Sequence, residues 1–203
     1  MRPLEILREI SERDVIGRNA SFIQAQALKA IELIGHVDGL GRKRLSKELH
    51  LGEGVVRTLI NRMRGLGLIE ISRGGMKLTS EGRQLLAVFT QRLAAAELRS
   101  TPLTVGTKNY ALLIKVSSMK ISRGIEQRDA AIIAGAKGAT TLLYENGELK
   151  MPGLEMKLDD AIIEEITQKL TPEDGDVIII GSANDIYLAE IGAKAAALEL
   201  LRE

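Results

Sequence analysis

Residues 41–79, GRKRLSKELHLGEGVVRTLINRMRGLGLIEISRGGMKLT, constrain this chain more than any other stretch. Leu45 and Leu49 stand four apart, on one face of a short helix. His50-Leu51-Gly52-Glu53-Gly54 then breaks the pattern with two glycines, the residues that most readily supply turn angles. Val56, Leu59, Ile60, Met63 and Leu66 follow at i, i+3, i+4, i+7 and i+10, an apolar stripe that has to face a core. The rest of that helix shows Arg57, Thr58, Asn61, Arg62 and Arg64. Gly65 and Gly67 stand where it should stop. Leu68-Ile69-Glu70-Ile71, the turn Ser72-Arg73-Gly74-Gly75 and Met76-Lys77-Leu78 then spell a hairpin with a basic, glycine-rich tip.

Helix, turn, helix and hairpin in this order are the plan of a winged helix-turn-helix. The run RTLINRMRGLGLIE, continued by RGGMKLTSEGRQLL, resembles the recognition helix, wing and following helix of prokaryotic winged-helix transcription regulators. The chain as a whole resembles an archaeal family of uncharacterised proteins that join such a module to a C-terminal domain of unknown function. That second likeness rests on Gly124-Ile125-Glu126-Gln127-Arg128-Asp129-Ala130 and Asp176-Val177-Ile178-Ile179-Ile180-Gly181-Ser182. It implies a transcription regulator and names no ligand.

Charge separates the two halves. Residues 1–99 carry 17 Lys and Arg against 11 Asp and Glu, while residues 100–203 carry 11 against 16. The basic half contains the helix-turn-helix, as expected of the half that meets a polyanion. At 203 residues, with 45% hydrophobic and 27% charged residues, the chain suits one large or two small globular domains. No apolar run reaches the ~20 residues that span a bilayer. The charged start, MRPLEILREISERD, is unlike a signal peptide, so the expectation is a cytoplasmic protein without a membrane partner. With no cysteine and only two histidines, His36 and His50, the sequence offers no metal-ligand set, and the expected cofactor is none.

The remaining elements follow from periodicity. Residues 3–16 read as a helix, with Pro3 at its start and Leu4, Leu7 and Ile10 on one side. Gly17-Arg18-Asn19 breaks it, and Asn19 or Ser21 caps a scaffold helix over about 21–36. Thr79-Ser80-Glu81 starts a long helix to about 98, and Ser100-Thr101-Pro102 sets the boundary. The first domain is therefore 1–99 and the second 100–203. In the second, Tyr110–Val116 and Val177–Ile180 are strands, and Thr140–Met151 is a hairpin around Asn146-Gly147. Helices span about 124–136, 158–170 and 184–201. The fold class is α+β: the winged module, then a two-layer domain with helices on one face of a mostly antiparallel sheet. The order resembles split-βαβ, ferredoxin-like arrangements; with 103–107 as an added strand it resembles the small insert domain of bacterial aspartyl-tRNA synthetases.

Candidate functional residues divide likewise. On the recognition helix, Arg57 suits guanine O6 and N7, Asn61 suits adenine, and Thr58 suits a thymine methyl. Arg62 and Arg64 are expected at phosphates, as are Arg42, Lys43, Arg44 and Lys47 at the first helix. Arg73 and Lys77 on the wing fit the minor groove or backbone. Residues 42–92 hold 11 basic and 4 acidic side chains. The competing account is a solvated helix face. In the second half, Arg123, Glu126, Arg128 and Asp129 gather at a helix start and suit either an anionic effector or a salt-bridge network. Ser182 and Asn184 stand after an apolar strand at a helix N-terminus, where anions bind. An ordinary turn capped by Asn184 accounts for them equally.

No nucleophile–base motif appears, and 2% aromatic residues leave few platforms for stacking single-stranded bases. The expectation is a dimeric, sequence-specific regulator of double-stranded DNA. Its second half would sense a small-molecule effector, dimerise, or do both. Two other classes stay open: an RNA- or translation-associated binding protein, and an enzyme acting on a phosphorylated metabolite.

Overall fold

The computed structural model describes residues 3–12, 22–115, 121, 123–154 and 158–202. Their backbone divides into two compact units, Met1–Thr90 and Gln91–Glu203.

The first unit opens with α1 (Pro3–Ser11), which buries Leu7 and Ile10. The expected break and caps at residues 17–21 lie outside the described residues. The scaffold helix α2 (Gln24–Gly35) begins after Ile23, whose amide donates to the Gln26 side chain at 3.0 Å. Next come α3 (Arg42–Glu48) and α4 (Glu53–Gly65), which bury Leu45 and Val56, Leu59, Ile60 and Met63. The turn between them differs from expectation in one respect. Its left-handed residue is His50, at φ 50°, and Gly52 is the extended N-cap of α4. The stop of α4 is a Schellman motif: Gly67 turns left-handed at φ 70°, its amide donates to Arg64, and the Leu68 amide reaches back to Met63 at 2.9 Å.

Strands β1 (Ile69–Ser72) and β2 (Gly75–Leu78) form the hairpin, with Ser72 opposite Gly75 and Arg73-Gly74 at its tip. Leu40 bridges to Met76 on its far side. Helix α5 (Ser80–Arg92) starts at Thr79, whose hydroxyl accepts from the Gly82 amide and donates to the Gly67 carbonyl at 2.6 Å. Gly82 is required there, because a β-carbon would fall 2.1 Å from the Leu68 carbonyl oxygen. The GLGLI and LTSEG motifs thus lock onto each other.

The expected long helix to residue 98 is corrected: α5 ends at Arg92, and Leu93–Leu98 is strand β3. Alanine's preference for helix yields to a full ladder with β4 (Lys108–Ile114), which pairs the backbone groups that the two strands turn toward each other. Residues 93–98 therefore belong to the second unit, ahead of the boundary placed at 99/100.

In that unit α6 (Ile125–Ile133), β5 (Gly138–Glu145), β6 (Glu148–Lys150), α7 (Asp160–Leu170), β7 (Val177–Ala183) and α8 (Ile186–Leu200) follow. The sheet runs β3-β4-β7-β5-β6 with every pairing antiparallel. Strands β4 and β5, joined through α6, run parallel to each other on either side of β7. Strands β6 and β7, joined through α7, run parallel on either side of β5. Two split β-α-β units therefore interlock. The 103–107 segment adds no strand.

The α+β class and antiparallel sheet stand, but the helices cover both faces. Ile162, Ile166 and Leu170 of α7 share a core with Ala111, Leu113, Leu142, Ile178 and Ile180. On the opposite face, α8 lies so close that a β-carbon on Gly181 would sit 2.2 Å from the Ala189 carbonyl oxygen. Cover on both sides is why β7 is buried from end to end.

Candidate nucleic-acid interface

Helix α4 sorts its side chains by period. The apolar stripe is buried, which leaves Arg57, Thr58, Asn61 and Arg64 exposed on the other side. Arg57, Asn61 and Arg64 fall at i, i+4 and i+7, one line along the helix. Arg57 and Arg64 have no ion-pair partner among the described residues, so their guanidinium groups are free to engage an external anion. The Thr58 hydroxyl bonds back to the Gly54 carbonyl at 3.3 Å, which leaves its methyl as an apolar contact.

Helix α3 supplies a second set. Arg42, Lys43, Arg44 and Lys47 are all exposed. Arg42 reaches Glu53 across the turn at 3.5 Å, and Arg44 approaches Glu48 at 4.0 Å. Both pairs are solvent-exposed and worth little against a polyanion. On the hairpin, Arg73 stands exposed at the tip, while Lys77 is held by Asp38 at 2.6 Å. This pair too is solvent-exposed.

Arg62 departs from its expected place at a phosphate. It is half-buried, and its Nη1 donates to the Ile10 carbonyl at 2.9 Å and to the Glu12 carbonyl. Its guanidinium carbon lies 5.7 Å from the centroid of the Phe22 ring. These contacts engage α1. Sequence reasoning missed them because the acceptors are backbone carbonyls fifty residues away, which leave no periodic trace.

The expected effector residues of the second unit do not converge on a site. Arg123 and Glu126 are exposed at the start of α6. Arg128 spends its guanidinium on the neighbouring Asp129 at 2.9 Å, the salt-bridge alternative. Ser182 is corrected to a structural role: it is buried, and its hydroxyl accepts from the Gly106 amide at 2.7 Å. Asn184 is corrected too. The cap of α8 is Asp185, whose Oδ1 accepts from Tyr187 and Leu188. A carboxylate on those amides repels the anion that the turn was expected to hold.

No helix of the described residues is long and apolar enough to cross a membrane. No group of three metal-ligating side chains gathers among them.

Fold and face define a two-unit protein: a helical unit with a β-hairpin and a basic exposed surface, and an antiparallel α+β unit. Residues 23–93 match the family described as the CggR N-terminal DNA binding domain. Residues 105–200 match a domain of unknown function, DUF4443. Eight chains of solved structure match, among them a hypothetical protein from Pyrococcus horikoshii OT3 at 29% identity and a TM-score of 0.70. That match covers 87% of this chain and 91% of the other. No curated protein matches.

Proposed function

We propose that this chain is a sequence-specific DNA-binding transcription regulator whose first unit acts as a winged helix-turn-helix. The observation that carries the reading is the exposed Arg57–Asn61–Arg64 line on α4, beside the lysines and arginines of α3. It is supported by the likeness of residues 23–93 to a DNA-binding domain. In this reading α4 enters the major groove, where Arg57 pairs with guanine and Asn61 with adenine. Arg42, Lys43, Arg44, Lys47 and Arg64 neutralise phosphates, and Arg73 reaches the backbone or minor groove beside the hairpin. The protein works as a cytoplasmic homodimer on a palindrome with half-sites about one helical turn apart. The second unit supplies dimerisation, effector sensing or both, and catalysis is not its task.

The test is selection of duplexes from a random pool by the purified full-length chain, followed by titration of the winner over a salt series. Random duplex and structured RNA serve as competitors. An enriched palindrome bound with steep salt dependence supports the proposal. Tighter binding of structured RNA would replace it with the translation-associated reading, and equal weak binding to everything would defeat both.

A further inference from the structure

We infer that Arg62 is a positioning residue, which locks α1 against the flank of the recognition helix and so sets the roll of α4. The inference rests on the DNA-binding reading above. The end of α1 leaves carbonyls that no turn of helix satisfies, and they carry the negative end of its dipole. Arg62 answers two of them, Ile10 and Glu12, from one nitrogen, and its flat face lies over Phe22. Leu7 and Ile10 are wholly buried and Phe22 is 4% exposed, so the clamp closes over packed apolar groups. An arginine suits this place: its planar fork holds two acceptors while its faces stack.

The clamp's location gives it a function. Arg62 lies one turn beyond Thr58 and next to Asn61, so α1 is fastened along the edge of the exposed line. An α-helix packed on one side only can roll by a few degrees about its axis. Such a roll moves the tips of Arg57 and Asn61, whose two-point pairing with base edges tolerates little displacement. Phosphate contacts from long, mobile side chains tolerate it well. Loss of the clamp should therefore cost discrimination between sequences and leave general attraction to DNA in place.

The experiment compares wild type, R62Q and R62K as full-length chains. The probes are the duplex that wild type selects from a random pool and a scrambled duplex of equal length, each titrated over a salt series. For R62Q the expected result is about a tenfold loss on the selected duplex and less than about a twofold change on the scrambled one. The slope against salt stays unchanged, and R62K recovers part of the loss because its ammonium reaches one carbonyl. A slope reduced by about 0.9 would make Arg62 a phosphate contact and overturn the inference. Equal losses on both duplexes, or none, would overturn it as well. If R62Q does not fold, R62K is judged by the same two criteria, with a loss confined to the selected duplex as the supporting result. A wild type that selects no duplex defeats the DNA-binding reading and this inference together; a wild type that selects, with variants that lose equally on both duplexes, lose on neither or show the reduced salt slope, defeats the inference alone.

Discussion

Gly75 meets Gly39 backbone to backbone: a β-carbon on Gly75 would sit 2.8 Å from the Gly39 carbonyl carbon and 3.0 Å from the Leu40 amide nitrogen. Both glycines hold left-handed angles, at φ 114° and φ 96°. The approach seats the hairpin root on the segment before α3, where Leu40 and Met76 exchange two hydrogen bonds at 3.0 Å. Asp38 and Lys77 close the same junction with an ion pair. The exposed tip that carries Arg73 is aimed from this root.

Gly75→Ala therefore introduces both strain and a backbone clash that no rotamer relieves. The expected cost is about 1–3 kcal/mol. In a unit of this size that lowers the melting temperature by about 4–8 °C per kcal/mol. Calorimetry of the full-length variant checks it. A melting temperature equal to wild type would mean the hairpin root shifts without penalty.

Asp185 and Asn184 give a sharper contrast, because they are neighbours of similar size. Asp185 caps two amides of α8, at 2.9 and 3.2 Å, and Asn184 caps none among the described residues. Asp185→Ala should destabilise the second unit by about 1 kcal/mol. Asn184→Ala should fall within about 0.5 kcal/mol of wild type, as an exposed substitution does. Denaturant midpoints of the two variants, measured side by side, decide which residue is the cap.

These residues also show where the sequence was legible. Local chemistry could be read directly: GLGLI gave the helix stop, and Asn146-Gly147, with φ of 54° and 78°, gave the two-residue hairpin turn. Apolar period gave the buried face of α4 and hence its exposed line. What depended on distant partners was hidden. LAAAEL reads as helix because alanine favours helix, and only a neighbouring strand to pair with makes it β3. The run VIIIG is apolar without alternation, as a strand covered on both faces is, but nothing local told that α7 and α8 would supply one cover each. Arg62 looked like its neighbours Arg57 and Arg64 until its carbonyl partners were in place. At the turn before α8, two adjacent residues were chemically able to cap, and backbone geometry chose Asp185.

Glu165 ties α7 to the end of β3. It accepts from Arg99 Nε at 3.0 Å and Lys169 Nζ at 2.9 Å, and the Arg99 amide donates to it at 3.3 Å. Burial pushes its carboxyl up, but the Lys169 and Arg99 hydrogen bonds and their two positive charges outweigh that effect. The net result is a pKa below the ordinary glutamate value. A carboxyl depressed in the folded state stabilises above its unfolded pKa, and that contribution is lost as pH falls through the folded value. Glu165→Gln should therefore melt below wild type at neutral pH. The gap should close only on the acid side of about pH 4.3. A gap that persists unchanged through that range would show that the charge on Glu165 contributes nothing.

The exposed lines of the first unit separate by what they are expected to read. Arg57 stands on α4 with no ion-pair partner among the described residues, so its removal leaves no buried charge behind. Arg57→Ala should cost about 1–3 kcal/mol on the duplex that wild type selects, with relaxed preference at one position of the site. Arg73→Ala and Lys47→Ala remove exposed cations at the hairpin tip and on α3. Each should weaken selected and scrambled duplexes alike, and lower the slope of log affinity against log salt by about 0.9. Fluorescence anisotropy titrations at several salt concentrations give both quantities for each variant. Arg57→Ala losing equally on both duplexes would move Arg57 from the base edges to the phosphates. That outcome would leave α4 as a helix that binds DNA without reading it.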